Sequence, residues 1–98
     1  MKIKIGPIKY KRVTVPDLRN DHDAKLYGQV DWLKCQIKVK AGQNPQQQRQ
    51  TEWHEIVHIL LDQLGCNEDI NNEAFVTALA YALMRLVQDN PWLAEEAK

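Results

Sequence analysis

Hydrophobic and charged residues alternate through much of the first 40 residues, as in Lys2-Ile3-Lys4-Ile5 and Gln36-Ile37-Lys38-Val39-Lys40. This period of two residues predicts β-strands with one buried side and one solvent-facing side. Turn-forming residues interrupt the pattern at Gly6-Pro7, at Pro16 and through residues 17–23. We therefore expect strands near residues 2–5, 8–15, 27–32 and 34–40, the last two forming a hairpin or one bent strand.

A helical pattern follows the strand region. Asn44 is a suitable N-cap, Pro45 suits the first helical position, and Gln47 lies three residues after the cap in capping-box register. We expect this helix to run to about Leu64 and to end at Gly65, because glycine readily adopts the left-handed conformation of a C-terminal cap.

A second helix is predicted from about Ile70 to Asp89, where apolar residues recur at helical spacing before Pro91. These residues are Ala74, Phe75, Ala78, Leu79, Ala82, Leu83, Leu86 and Val87. We expect residues 92–98 to form a terminal turn, with Trp92 folding back on the core. The order of elements indicates an α+β fold, with a small N-terminal antiparallel or mixed sheet followed by two packed helices.

Length and composition narrow the class of protein. A chain of 98 residues is expected to form a single domain, residues 1–98, since one hydrophobic core usually spans this length. Hydrophobic residues make up 44% and charged residues 27%, and no apolar run approaches the roughly 20 residues of a membrane helix. The N-terminus lacks the pattern of a secretory signal, which favours a cytoplasmic protein without a membrane segment. We expect Cys35 and Cys66 to be reduced core residues, although one bridge between them stays open.

The net charge of zero conceals an uneven distribution. Residues 1–40 contain ten Lys and Arg against four Asp and Glu, whereas residues 41–98 contain three against nine. A basic half can indicate a nucleic-acid surface. However, these lysines mostly alternate with apolar residues, as expected for the solvent face of a small sheet, and this argues against nucleic acid as a partner.

The chemistry-bearing pattern is His54-Glu55-Ile56-Val57-His58 within the first predicted helix. Histidines four residues apart project from one helix face within about 6 Å of each other and can share a metal ion. Catalytic zinc takes three protein ligands and leaves one position for water. Glu55 can accept a proton from that water, so the pattern supplies two ligands and a general base.

A third ligand is expected downstream or in the sheet region. The candidates are His22, Asp62, Cys66, Glu68, Asp69 and Glu73. Asp62 is expected on the same helix face as the histidines but one turn beyond His58, away from the ion. Glu68 and Asp69 are expected near the start of the second helix, where acidic residues commonly act as caps. Glu73 is expected one turn into the second helix, on the same face as Val76 and Ala80. An inward-facing carboxylate there is best explained by a metal, so Glu73 is the preferred ligand.

The residues Leu26-Tyr27-Gly28, Lys34–Val39, Glu52–Leu61 and Asn72–Ala80 resemble small zincin metallopeptidases of the gluzincin type. The resemblance is greatest to the ImmA/IrrE-like group of phages, mobile elements and bacteria, and it covers roughly residues 26–87. It implies zinc held by the two histidines and a downstream glutamate. It also implies a substrate peptide held by an edge strand before the motif helix, at Lys34–Val39. Glu52 stands where the extended consensus prefers an uncharged residue.

The sequence therefore predicts a zinc-dependent endopeptidase of restricted specificity that acts on a protein or peptide substrate. His54, His58 and Glu73 are the expected ligands of Zn²⁺, and Glu55 is the expected general base. Lys34, Gln36 and Lys38 are expected to lie on the substrate-binding strand. The oxyanion-stabilising residue is left open among Tyr27, Tyr81 and His22.

Two other functions are open at this point. The chain could be a catalytically inactive zincin-like binding module, or the basic half could bind nucleic acid or another partner around a structural metal. The intact Glu55 argues against the first. The small number of stacking aromatics in the sheet, chiefly Tyr10, Tyr27 and Trp32, argues against the second.

Overall fold

Four strands form one mixed sheet in the order β1-β2-β4-β3, and two helices follow, which makes the fold α+β. The computed structural model describes residues 2–93. The strands are β1 (Lys2–Ile5), β2 (Ile8–Val15), β3 (Gly28–Asp31) and β4 (Gln36–Lys40), and the helices are α1 (Pro45–Gln63) and α2 (Glu73–Asp89). β1 and β3 run antiparallel to their neighbours, whereas β2 and β4 pair in parallel.

The position of β4 corrects one expectation. β4 lies between β2 and β3, so both of its edges are already hydrogen-bonded to neighbouring strands. The expectation that Lys34–Val39 forms a free edge is therefore wrong. The edge strand beside α1 is β3, and Lys34 lies in the turn that joins β3 to β4.

α1 begins and ends where local sequence signals place its caps. The Asn44 side chain accepts a hydrogen bond from the backbone N–H of Gln47 at 2.8 Å, and Pro45 is the first helical residue. At the other end Gly65 has φ of +77°. The backbone N–H of Cys66 donates to the carbonyl of Leu61 at 3.0 Å, which gives the hydrogen bond of a Schellman cap.

α2 begins at Glu73, three residues later than expected. The reason is Asn72, whose side chain accepts a hydrogen bond from the backbone N–H of Phe75 at 2.9 Å and so caps the helix. The buried face of α2 consists of Val76, Ala80 and Met84. Several residues of the expected apolar stripe are instead exposed: Ala74, Phe75, Ala78, Ala82 and Leu86.

The core has two parts, and α1 belongs to both. Ile59 packs with the sheet residues Ile5, Tyr10, Ile37 and Val39. On another side of the same helix, the residues that pack against α2 form a second cluster of Val57, Leu61, Val76 and Ala80. Since the residues of both clusters are buried, α1 is fixed between the sheet and α2.

Three remaining features concern the ends and the cysteines. Trp92 is 54% exposed, so the expectation that it folds back on the core is wrong, and residues 94–98 of the expected terminal turn lie outside the described residues. Cys35 and Cys66 are free thiols that pack at the margins of the two core clusters. Among residues 2–93, no helix combines the length and the hydropathy needed to cross a bilayer.

Candidate metal centre

His54 and His58 project from one side of α1. Their ring centroids are 4.9 Å apart and the ring planes meet at 69°. This proximity follows from the four-residue spacing, which places two side chains one above the other on a helix. The two rings therefore form a pair that can contact a common group.

Glu73 is that common group in this structure. Its Oε2 lies 2.9 Å from His54 Nε2, and its Oε1 lies 2.9 Å from His58 Nε2. Glu73 is the first residue of α2 rather than a residue one turn into it, and its side chain is 78% exposed. The N-terminus of α2 thus brings an exposed carboxylate against the two histidines, whose side chains are only 20% and 17% exposed.

The three side chains have the donor set of a zinc site. One ligand atom from each of His54, His58 and Glu73 lies within 4.8 Å of the others, the only such group among residues 2–93. A carboxylate only accepts hydrogen bonds, so the short contacts require either N–H groups on both rings or a cation between the rings and the carboxylate. Two imidazoles and one carboxylate suit zinc, which binds such atoms at about 2.0–2.2 Å. The other five ligand candidates do not join this group: His22, Asp62, Cys66, Glu68 and Asp69.

The electrostatics of α1 favour a neutral ring at His54 and an unusually basic carboxylate at Glu55. Partial burial lowers the pKa of His54 despite the neighbouring Glu73, and a metal ligand must be deprotonated. Glu55 is 7% exposed, and desolvation by burial raises its pKa to about 7. Because it is buried, the Glu55 carboxyl group keeps its proton to a higher pH than an exposed glutamate does.

Gly28 allows the edge strand β3 to lie close to the buried Glu55. A Cβ placed on Gly28 would lie 2.5 Å from Thr51 Cγ2, 3.2 Å from Glu55 Cγ and 3.3 Å from Glu55 Oε1. Only a glycine lets β3 lie this close to α1 without displacing these side chains. The strand edge and the carboxylate consequently line the same cleft.

Two polar residues outside the expected set contact the far sides of the histidine rings. Asn71 Oδ1 lies 2.7 Å from His58 Nδ1, and Thr77 Oγ1 lies 3.4 Å from His54 Nδ1. Sequence reasoning missed both. The one available signal was the Asn71-Asn72 pair, because asparagine favours loops and caps over the helix interior that was expected there.

The cleft has a volume of about 680 Å³ and opens along β3. It is lined by the metal-binding candidates and by Leu26, Tyr27, Gly28, Val30, Trp32, Gln47, Gln50 and Thr51. Tyr27 is the one oxyanion candidate that lines it, whereas His22 and Tyr81 do not.

Lys34, Gln36 and Lys38, which were expected on a substrate-binding edge strand, do not line the cleft. Ile37 and Val39 pack towards α1, and side chains alternate across a strand, so Gln36 and Lys38 face the opposite side of the sheet. Lys38 instead lies 3.5 Å from Asp31 of β3. The backbone N–H of Lys34 donates to the same Asp31 carboxylate at 3.0 Å, and this bond is the main reason that the pKa of Asp31 is lowered.

Two further contacts hold α1 against the sheet. Gln43 donates hydrogen bonds to the carbonyls of Tyr27 and Lys40 and accepts one from Thr51 Oγ1 at 2.8 Å. Glu52, the charged residue two positions before His54, forms an ion pair of 3.0 Å with Arg12 of β2. Its charge is therefore directed to the sheet and away from the cleft.

A comparison of the chain with protein-family models finds no matching family, and comparisons with curated proteins and with solved structures find no significant similarity.

Proposed function

We propose that this chain is a zinc-dependent endopeptidase of the minimal zincin type, with the metal held by His54, His58 and Glu73. The observation that carries the proposal is that one ligand atom from each of the three residues lies within 4.8 Å of the others, beside a buried glutamate in an open cleft. A purely structural zinc site is normally closed by four protein ligands. Three ligands at the mouth of a cleft favour a catalytic site.

The proposed chemistry divides between the metal and the chain. When bound, zinc would lower the pKa of a water molecule and polarise the carbonyl group of the scissile bond. Glu55 follows His54 directly and points into the same cleft, but it is not part of the ligand group. Its carboxylate oxygen would accept a proton from the attacking water and return it to the leaving amine.

The open edge of β3 supports a peptide as the substrate. The backbone N–H of Lys40 donates to the Tyr27 carbonyl at 2.8 Å, so Tyr27 and Lys40 form a hydrogen-bonded pair. In an antiparallel ladder such pairs alternate along the strand. Gly28 and Val30 therefore direct their N–H and C=O groups away from β4, and an extended peptide can add to this edge as a further strand.

The lining of the cleft also bears on which peptides would fit. Apart from Lys25, Glu55 and the three proposed ligands, the lining is uncharged, and it includes the exposed residues Tyr27 and Trp32. Apolar or uncharged polar side chains flanking the scissile bond would lose little solvation there. Restricted specificity would then come from these side-chain contacts rather than from the backbone pairing.

Metal analysis of the three histidine variants tests the proposal. Protein purified without chelators should contain near-stoichiometric zinc, and His54→Ala and His58→Ala should lose it. His22→Ala is the matched control, since His22 is outside the ligand group and should leave the zinc content unchanged. Equal zinc in all four proteins would reject the metal site. Zinc loss in the expected variants, combined with no cleavage of any unfolded protein or peptide library, would reject the peptidase activity alone.

A further inference from the structure

Asn71 makes two hydrogen bonds to His58. Its Oδ1 lies 2.7 Å from the ring Nδ1, and its Nδ2 donates to the backbone carbonyl of His58 at 3.2 Å. The second bond fixes the orientation of the amide, because only the NH₂ group can donate to a carbonyl oxygen. The atom facing the ring is therefore the oxygen, which can only accept a hydrogen bond.

We infer that Asn71 is a positioning residue that keeps a proton on Nδ1 of His58 and thereby reserves Nε2 for the cleft. The ring can satisfy Asn71 Oδ1 only if Nδ1 carries hydrogen. Nε2, on the other side of the ring, lies 2.9 Å from Glu73 Oε1 and is the nitrogen that a cation between the ring and the carboxylate would contact. The protonation of Nδ1 follows from the contact itself, and only its effect on zinc rests on the proposed function.

The backbone around Asn71 supports this role. The N–H of Asn71 donates to the carbonyl of Asn67 at 2.7 Å, which closes a turn directly before α2. Asn72 then caps α2, and Glu73 contacts both histidine rings. Three successive residues therefore have three roles: Asn71 bonds to the His58 ring, Asn72 caps α2, and Glu73 supplies the carboxylate.

The two histidines are held unequally. Thr77 Oγ1 is 3.4 Å from His54 Nδ1, a longer contact from a hydroxyl that can rotate to donate or accept. No second bond orients Thr77 towards His54 among the contacts of the described residues. His58 is therefore the ring whose tautomer and orientation the protein fixes, and changes at Asn71 should affect the site more than changes at Thr77.

Nuclear magnetic resonance of the metal-free wild-type protein tests the assignment without reference to zinc or activity. A spectrum that correlates the carbon-bound ring protons with the ring ¹⁵N nuclei should give Nδ1 of His58 the ¹⁵N chemical shift of a nitrogen that carries hydrogen. Its proton should exchange slowly enough with water to be observed, and it should lose this protection in Asn71→Leu. An unprotonated Nδ1 of His58 in the wild-type protein would overturn the inference, whether or not the chain binds zinc.

Zinc affinity, measured by competition with a chelator, tests the consequence. Loss of the hydrogen-bonded group behind a ligating histidine typically lowers metal affinity about 10–100-fold. We expect such a loss for Asn71→Leu and substantial recovery for Asn71→Asp, whose carboxylate also accepts from Nδ1. Asn67→Ala is the control from the same loop, because the Asn67 side chain accepts a bond from the Asp69 N–H, and the hydrogen bonds of the two histidine side chains to described residues go to others. Unchanged affinity in Asn71→Leu, or a loss equal in Asn71→Asp and Asn71→Leu, would overturn the role of the acceptor.

Discussion

Gly28 lies against Glu55, so the edge strand of the sheet touches the helix that carries the proposed catalytic groups. A Cβ placed on Gly28 would lie 3.2 Å from Glu55 Cγ and only 2.5 Å from Thr51 Cγ2. Real Cβ atoms essentially never approach another heavy atom to 2.5 Å. The distance between β3 and α1, and with it the width of the cleft, thus depends on the absence of a side chain at position 28.

Gly28→Ala is expected to push β3 away from α1. Overpacking of this kind typically costs about 1–3 kcal/mol, which urea unfolding would measure as a lower free energy of unfolding. Zinc content should be retained because the ligand residues lie on the helices, while kcat/KM for a peptide substrate should fall. Thr51→Ser removes Cγ2 and keeps the hydroxyl that bonds to Gln43, so the double variant should recover much of the lost stability. Additive losses in the double variant would contradict this account.

Val30→Pro tests whether a peptide pairs with β3. The N–H of Val30 points away from β4, so proline removes a group that the sheet does not use and that the substrate would use. We expect a lower kcat/KM with zinc still bound. Gln29→Pro is the contrasting variant, since its N–H belongs to the ladder with Lys38 and its loss should reduce stability. A zinc-loaded Val30→Pro protein with undiminished kcat/KM would show that the substrate does not use this edge.

The sequence predicted those features of the fold that depend on local signals. Asn44 and Gly65 cap α1 as expected, because capping needs only a few neighbouring residues. The strand order was not predictable in the same way. Ile37 and Val39 alternate with polar residues, which is compatible with either a central or an edge strand, and the parallel pairing of β2 with β4 joins distant segments.

The candidate site shows the same division between local and distant information. The closeness of His54 and His58 follows from helix geometry and was predicted. Glu73 was also preferred as their partner, although the cap at Asn72 places it at the helix start and not one turn further. The contact from Asn71 depends on how a loop folds onto the back of a ring, and no sequence periodicity encodes it.

Glu73→Ala should separate the proposed ligand from nearby acids. Removal of a group that hydrogen-bonds to a metal ligand typically lowers metal affinity about 10–100-fold, so removal of a direct ligand should lower it at least about 100-fold. Glu68→Ala is the control, since Glu68 is outside the ligand group and removes the same charge from the loop before α2. Chelator competition measures both affinities. An equal effect of the two substitutions would indicate a general electrostatic contribution instead of coordination.

Glu55→Gln should leave zinc bound and nearly abolish hydrolysis. Glutamine matches the shape of glutamate, so it can occupy the same space beside Gly28, but its amide cannot accept a proton from water. Loss of a general base typically costs about 10²–10⁴ in rate, which single-turnover cleavage of a peptide identified with the wild-type enzyme would measure. Glu52→Gln is the matched control on the same helix, because Glu52 pairs with Arg12 and does not line the cleft. It should lower stability slightly and preserve the rate. Undiminished cleavage by zinc-loaded Glu55→Gln would exclude Glu55 as the base, because the glutamine amide cannot accept the proton from water.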